Sequence, residues 1–394
     1  MQTKFTLTET LPPYIFATMG GLKKEAAARG LEVIDFGLGS PDSAPPAHAI
    51  AKLIEVSQNT KLYGYSAVGG IEPLKQAVAS YYKRRFDVDL DCKSEVIVTI
   101  GSKEGLTSLA TAIADKDNYL VVPNPCYPIH TFAFVIAKSN VAYINATKGS
   151  EFLVQFKEFI EKTEKKPVAV IVNYPSNPTS ELVGLDFYEE LVAFCTRHQI
   201  YIISDAVYSE IYFDDNFKPA SILQVKGAKD IAIEFYSMSK SYSLAGARIG
   251  FALGNPTLVA AMHKLKSYLD YSQFEPMQVA ACEALSEKSD DYLVALRMKY
   301  KNRAELLVKL LDEELSWKAS VPKGSMYIWT KIPQQFSHMN SFDFCKKLLA
   351  ETGVALSPGS GFGANGEGFV RFSLIRELEE MRKAVTKMRP FFAK

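Results

Sequence analysis

Through the middle of the chain, short apolar runs alternate with longer stretches whose apolar positions recur every three or four residues. Val96-Ile-Val-Thr-Ile100, Tyr119-Leu-Val-Val122, the run 168–172, Ile200-Tyr-Ile-Ile203 and Ile231-Ala-Ile-Glu-Phe235 are nearly all apolar and bounded by polar or turn residues. Runs of this kind predict strands covered on both faces. Between them, Leu74, Ala77, Val78, Tyr81 and Tyr82 fall on one helical face, after Pro73 in a position suited to a first turn. Leu191, Phe194 and Cys195 form a similar stripe ahead of His198. Strand–helix alternation predicts an α/β fold with a mainly parallel sheet and helices on both sides.

The ends read differently. Residues 1–48 are rich in proline and glycine and show little regular pattern. A long charged helical stretch begins near 286 and runs through Tyr300 and Leu311. Two strand-like pieces, Met326-Tyr-Ile-Trp329 and Phe369-Val-Arg-Phe372, and a terminal helix follow. We therefore expect a large domain over 49–285 and a smaller α+β domain built from 1–48, with an N-terminal arm, and 286–394.

Composition narrows the function classes. Of the 394 residues, 47% are hydrophobic and 23% charged, enough apolar material for a large core. The net charge of +1, with Lys and Arg scattered among acids, offers no basic surface to nucleic acid or an anionic membrane. Cys92, Cys126, Cys195, Cys282 and Cys345 are widely spaced, which predicts free thiols in a reducing compartment. Residues 1–10 lack the apolar segment of a signal peptide, and no apolar run is long enough to span a bilayer. The expectation is a soluble cytoplasmic protein with small-molecule partners. His48, His130, His198, His263 and His338 are isolated in sequence, so no metal site is expected. No Gly-x-Ser-x-Gly elbow supports Ser-His-Asp hydrolysis.

In open α/β sheets, ligands bind beyond the carboxyl ends of the strands, and there this sequence concentrates its polar turns. Gly101-Ser-Lys-Glu-Gly105 opens a helix pattern whose exposed N–H groups suit a phosphate, although such a turn alone is often only a turn. Pro123-Asn-Pro-Cys-Tyr-Pro128 holds Tyr127 in a stiff loop, where its ring either stacks on a flat heterocycle or fills a domain interface. Asn173-Tyr-Pro-Ser-Asn-Pro178 restrains the backbone around Asn177. In Ser204-Asp-Ala-Val-Tyr-Ser-Glu210, Asp205 leaves an apolar strand and needs a cationic partner, a role a protonated pyridine nitrogen would fill. Ser237-Met-Ser-Lys240 and Ala245-Gly-Ala-Arg248 supply a lysine able to form an imine, with Ser237, Ser239 and Arg248 able to hold a phosphate.

Taken together, these turns resemble the class I/II aminotransferases, fold type I enzymes dependent on pyridoxal 5′-phosphate, and the similarity runs from about Leu11 to Phe392. Ser-x-Ser-Lys240 with Arg248 eight residues on, after Asn177-Pro and Asp205-x-x-Tyr208, is the specific part. The resemblance implies a large domain with a mainly parallel seven-stranded sheet sandwiched by helices. It implies Lys240 as the Schiff-base lysine and proton carrier, Asp205 on the pyridinium nitrogen, and Tyr208 and Asn177 on the ring hydroxyl. Tyr127 would stack on the ring, and Ser102, Lys103, Ser237, Ser239 and Arg248 would bind the phosphate. Arg371, in Phe-Val-Arg-Phe-Ser373, matches the arginine that grips the substrate carboxylate, and Gly39, in Gly37-Leu-Gly-Ser-Pro-Asp42, would let the backbone close over the substrate. Tyr65, in Tyr-Ser-Ala-Val-Gly-Gly70, matches a tyrosine that reaches the neighbouring subunit's phosphate, which implies a homodimer with shared active sites. The implied reaction is ping-pong exchange between an amino acid and a keto acid.

Substrate signals are thinner. One aspartate-specific branch uses an arginine in a loop after the Schiff-base lysine, but no arginine lies between Arg248 and Arg297, and Lys266 and acids occupy the corresponding stretch. Lys103 matches a lysine that reads the distal carboxylate in another branch. Leu11-Pro-Pro-Tyr14, Val98-Thr-Ile-Gly-Ser-Lys-Glu-Gly105, Ser239-Lys-Ser-Tyr242 and Leu356-Ser-Pro-Gly359 resemble the bacterial alanine (glutamate–pyruvate) aminotransferases, and Tyr-Leu-Asp-Tyr271 also resembles LL-diaminopimelate aminotransferases. Alanine/2-oxoglutarate exchange is the expected activity. A β-lyase and a non-catalytic regulator on the same fold are the rivals; such regulators usually append a DNA-binding domain, for which no room is expected before Leu11 and no basic patch is seen. Gly359-Ser-Gly-Phe-Gly-Ala364 loosely fits a dinucleotide fingerprint but lies near the end of the sequence, so a loop is expected there.

Overall fold

The computed structural model describes residues 5–393. Two compact units divide the chain. The larger comprises Ser40–Lys301 with Lys323–Ser325; the smaller comprises the described residues up to Gly39, Asn302–Pro322 and those from Met326 onward.

Seven strands form the sheet of the larger unit: β1 (Val96–Thr99), β2 (Tyr119–Asn124), β3 (Asn140–Asn145), β4 (Ala169–Asn173), β5 (Tyr201–Asp205), β6 (Ala232–Ser237) and β7 (Gly250–Gly254). Their order is β1-β7-β6-β5-β4-β2-β3. β7 is antiparallel to both neighbours and the other pairs are parallel, which gives the mainly parallel α/β sheet expected from the sequence. Every residue of β1, β4, β6 and β7 is buried.

Alternate residues of one strand enter different cores, as the two-residue period requires. Val170, Val172 and Ile202 join one cluster, with Leu74, Val78, Phe156 and Leu191 from helices α1 (Glu72–Phe86), α2 (Gly101–Ile113) excepted, α4 (Gly149–Lys162) and α5 (Leu185–His198). Ile171, Ile203 and Ile233 join the other, with Leu106 of α2, Phe134 of α3 (Pro128–Ile136) and Met262 of α6 (Pro256–Leu269). Each such aliphatic side chain contributes about 1.5–3 kcal/mol when fully buried. Two-sided burial explains why these strands lack polar alternation.

Two strands escaped the sequence pattern. β3 is an edge strand with Asn at both ends and a half-exposed Tyr143, so it lacks an apolar run. β7 begins and ends in glycine because neighbouring backbone leaves no room for a side chain: a Cβ on Gly250 would lie 2.6 Å from Ser102 N, and one on Gly254 would lie 2.6 Å from Ala232 O.

In the smaller unit, β8 (Tyr327–Lys331), β9 (Ser357–Pro358) and β10 (Phe369–Ser373) form an antiparallel sheet with β10 in the centre. Trp317 packs edge-on against Phe344 and Phe372 and donates its indole N–H to Lys331 O at 2.8 Å. The sequence suggested little order before residue 48, yet Ile15–Ala28 is a helix with Met19 and Ala26 buried. Its Gly20-Gly21 pair, where an added Cβ would meet nothing within 4 Å beyond the helix itself among the described residues, hides the pattern. Gly359–Phe362 and Ala364–Gly366 are short 3-10 turns, and a Cβ on Gly359 would collide with Gly366 O. The glycines there permit close backbone approach.

The boundary between units falls at 301/302, inside helix α7 (Asp290–Leu315), and at 39/40, against the expected 285/286 and 48/49. An uninterrupted helix carries no linker composition that could mark it. Among the described residues, no helix is long and apolar enough to cross a membrane.

Candidate active site

β1, β2, β4, β5 and β6 run the same way, so their carboxyl ends lie at one edge of the sheet. Arg248, just ahead of the reversed strand β7, lies at that edge as well. Asn173 pairs in register with Asp205, and Asp205 with Phe235. The turns carrying Asn177, Tyr208 and Lys240 therefore leave adjacent strand ends.

Asp205 is the electrostatic centre of this edge. Only 3% exposed, it ends β5 with its Oδ2 accepting a hydrogen bond from His130 Nε2 at 2.7 Å. Its Oδ1 is buried and has no hydrogen-bond partner among the described residues. Its carbonyl accepts from Asn173 Nδ2 at 2.6 Å, and Asn173 Oδ1 accepts the Asn177 N–H at 2.8 Å. One asparagine side chain thus ties the Asn177 turn to the Asp205 strand. Burial pushes the His130 imidazolium towards neutrality, but hydrogen bonds and charge from Asp205, with a contribution from Cys126, outweigh it and raise its pKa to about 9. His130 is accordingly a cation at neutral pH.

His130 is a residue of this edge that the sequence reading did not single out. It lies in the first turn of α3, three residues after Tyr127, whose half-buried ring meets the imidazole edge-on at 5.9 Å. Its partner is 75 residues away in sequence, so only the folded chain reveals the pair.

Tyr208 is buried in the turn after β5, where its carbonyl accepts the Ile211 N–H at 2.8 Å. Two residues on, Glu210 anchors that turn through Tyr81, Arg85 and Arg297. After β6, Ser237 caps the short helix Met238–Ser241, accepting the Ser239 N–H at 3.2 Å and donating to Ser239 Oγ at 3.0 Å. That helix carries Lys240, half-buried, one turn beyond the strand.

Arg248 and Gly101 both have left-handed backbones, with φ of 56° and 74°. Arg248 donates to Ala245 O at 2.8 Å and to Ile100 O at 3.4 Å. A Cβ on Gly101 would collide with that guanidinium, so the N-terminus of α2 and Arg248 meet with no side chain between them. Converging N–H donors and a planar cation make a cradle for an anion. Ser102 is half-buried and Lys103 exposed on this first turn. Lys266, fully buried, is committed to Glu104 at 3.1 Å and Asp270 at 3.0 Å.

These residues fit pyridoxal phosphate. The edge combines an anion cradle, an amine on the neighbouring turn and a buried carboxylate held by a cation, with one oxygen open to a ring N–H. Tyr65, by contrast, is 88% exposed and stacks on Tyr271 at 4.6 Å.

Two expected residues belong to the smaller unit. Arg371, buried on β10, donates to Gly37 O at 2.9 Å and Ser357 Oγ at 3.3 Å, with its guanidinium 4.1 Å from the Tyr327 ring and 4.7 Å from that of Phe362. A Cβ on Gly39 would collide with the Tyr327 hydroxyl, so glycine there also admits that ring.

Comparison with known proteins gives a family. The family described as aminotransferase class I and II matches residues 32–388. Glutamate-pyruvate aminotransferase AlaC of Escherichia coli is 43% identical over 391 residues, 99% of this chain and 94% of that protein. An LL-diaminopimelate aminotransferase of Maridesulfovibrio salexigens is 39% identical over 379 residues, 96% of each chain. The substrate-bound structure of BacF from Bacillus subtilis superposes with a TM-score of 0.91 at 30% identity, covering 99% of this chain and 98% of that one.

The His130–Asp205 pair predicts a pH dependence. Because the folded pKa of His130, about 9, lies above its ordinary 6.5, its stabilisation is complete below pH 6.5 and lost as pH rises through 9. Melting of cofactor-free protein should fall roughly 2–4 °C further across this window in the wild type than in His130→Asn. Equal losses would remove the pair from the account.

Proposed function

The chain belongs to the aminotransferase class I and II family, and on that premise we propose that it exchanges an amino group between L-alanine and 2-oxoglutarate by a ping-pong mechanism. Enzymes of this family use pyridoxal 5′-phosphate, which when bound supplies a carbonyl carbon to take the amino group and a ring that withdraws electrons. The observation that carries the reading is Asp205: buried, with one oxygen on cationic His130 and the other unengaged among the described residues.

Each residue then has a task. Asp205 Oδ1 would face the ring nitrogen and favour its protonated form, while His130 fixes the carboxylate through Oδ2. Tyr208 and Asn177 would donate to the ring hydroxyl oxygen, and Tyr127 would cover the ring face. The backbone N–H groups at Ser102 and Lys103, with Ser237, Ser239 and Arg248, would hold the phosphate and leave the Lys103 ammonium for the substrate. Lys240 Nζ would anchor the cofactor and would carry the proton taken from the substrate α-carbon. Arg371 receives the α-carboxylate, whose bidentate geometry matches its guanidinium, and Gly39 lets the backbone approach.

For the substrate, support comes from the relative named a glutamate-pyruvate aminotransferase and from the stretch after Arg248. That stretch has no arginine before Arg297, and its buried Lys266 is neutralised by Glu104 and Asp270. We assign the distal carboxylate of 2-oxoglutarate to Lys103. LL-diaminopimelate and aspartate are the alternative donors, the first favoured by the relatives that bear its name.

We also propose a homodimer. Tyr63, Tyr65, Tyr268, Leu269, Tyr271 and Phe274 are all exposed, Tyr268 at 84%, and six large apolar side chains in neighbouring segments are more than a monomer normally leaves in water. Tyr65 of each subunit would reach the phosphate held by the other.

Single-turnover half-reactions with alanine, glutamate, aspartate and LL-diaminopimelate decide the donor. Alanine should exceed aspartate and LL-diaminopimelate by about tenfold or more in rate constant over KM, and about a hundredfold preference for aspartate overturns the choice. In sedimentation the wild type should be a dimer. Tyr268→Glu combined with Leu269→Glu should shift it towards monomer and cut activity by about tenfold or more. A fully active wild-type monomer would contradict the shared site.

A further inference from the structure

We propose that Gln273 is a positioning residue for the anion cradle: its side-chain amide sets the spacing between Arg248 and the N-terminus of α2, and with it the protein's grip on a phosphate. The proposal rests on the reading that the cofactor's phosphate lies at Arg248.

Gln273 is buried, and its Nε2 donates to two backbone carbonyls, Thr99 O and, at 3.0 Å, Arg248 O. Thr99 ends β1 two residues before Gly101, where α2 begins, while Arg248 carries the guanidinium. A single NH2 group therefore bridges the two chain segments that form the cradle. The amide orientation is unambiguous, because a carbonyl can only accept and both hydrogens are used. Its Oε1 accepts from Ser272 Oγ at 2.8 Å.

Gln273 is itself held in place. Its carbonyl accepts from Nε2 of the fully buried Gln278 at 2.7 Å. Gln278 also donates to Ser66 Oγ at 2.9 Å and accepts the Ile71 N–H at 2.9 Å. The cradle needs such restraint. Arg248 has a φ of 56°, a sparsely populated region for a residue with a side chain, and such conformations persist only where their surroundings over-determine them. The guanidinium is fixed through Ala245 O and Ile100 O, and the backbone through Gln273.

The test compares equilibrium binding of pyridoxal 5′-phosphate and of pyridoxal, which lacks the phosphate, to cofactor-free wild type, Gln273→Met, Gln273→Glu and Arg248→Ala. Gln273→Met keeps the length without the donors; Gln273→Glu keeps the shape and serves if the Met variant does not fold. Either should lower the preference for the phosphorylated ligand roughly tenfold while pyridoxal binds within about twofold of wild type. Equal loss of both ligands, or unchanged preference, overturns the role of Gln273. If Arg248→Ala loses the preference and the Gln273 variants keep it, only this proposal fails. If Arg248→Ala keeps it, the phosphate assignment fails and takes the proposal with it.

Discussion

A carboxylate at the end of a strand with no access to water must be matched by donors and positive charge, since an unpaired buried charge costs several kcal/mol. Asp205 imposes this constraint on the larger unit. α3 must lie so that His130 reaches Oδ2, and Asn173 must leave β4 in register so that its amide meets the Asp205 carbonyl. The second oxygen, Oδ1, is buried without a hydrogen-bond partner among the described residues. Such a group is stable in a working protein only if something else engages it, which is why this atom says more about function than the fold around it.

The anion cradle follows from a second constraint, the close approach of backbone to backbone. Gly101 and Gly250 bring the start of α2, the chain entering β7 and the Arg248 guanidinium together without intervening side chains. Opposite charge and oriented N–H groups then converge on one point, and Asp205 and Lys240 occupy the neighbouring strand ends of the same edge. Charge separation across the edge, cationic at Arg248 and anionic at Asp205, suits a ligand with a phosphate at one end and a protonated nitrogen at the other.

Much of this was legible in the sequence, for identifiable reasons. Strands buried on both faces leave unbroken apolar runs, so β1, β2, β4, β5 and β6 were visible. β3 was not, because edge exposure lets Tyr143 and asparagines into it, and β7 was not, because close backbone contacts demand its glycines. Lys240, Asp205, Asn177 and Arg248 stand at fixed spacings within turns, and turn chemistry is local. His130, Asn173 and Gln273 act on partners far along the chain; the amide of Gln273 joins residues 174 and 25 positions away. No local pattern encodes such a pairing, and only the register of the sheet creates it.

The central claim is that Lys240 bonds the cofactor beside Asp205. Borohydride reduction of the purified, cofactor-loaded protein, followed by peptide mass spectrometry, tests it most directly. The account predicts a pyridoxyl label on Lys240, with neither label nor visible absorption band in Lys240→Ala. A label on another lysine, or a Lys240→Ala protein that transaminates at the wild-type rate, would contradict it.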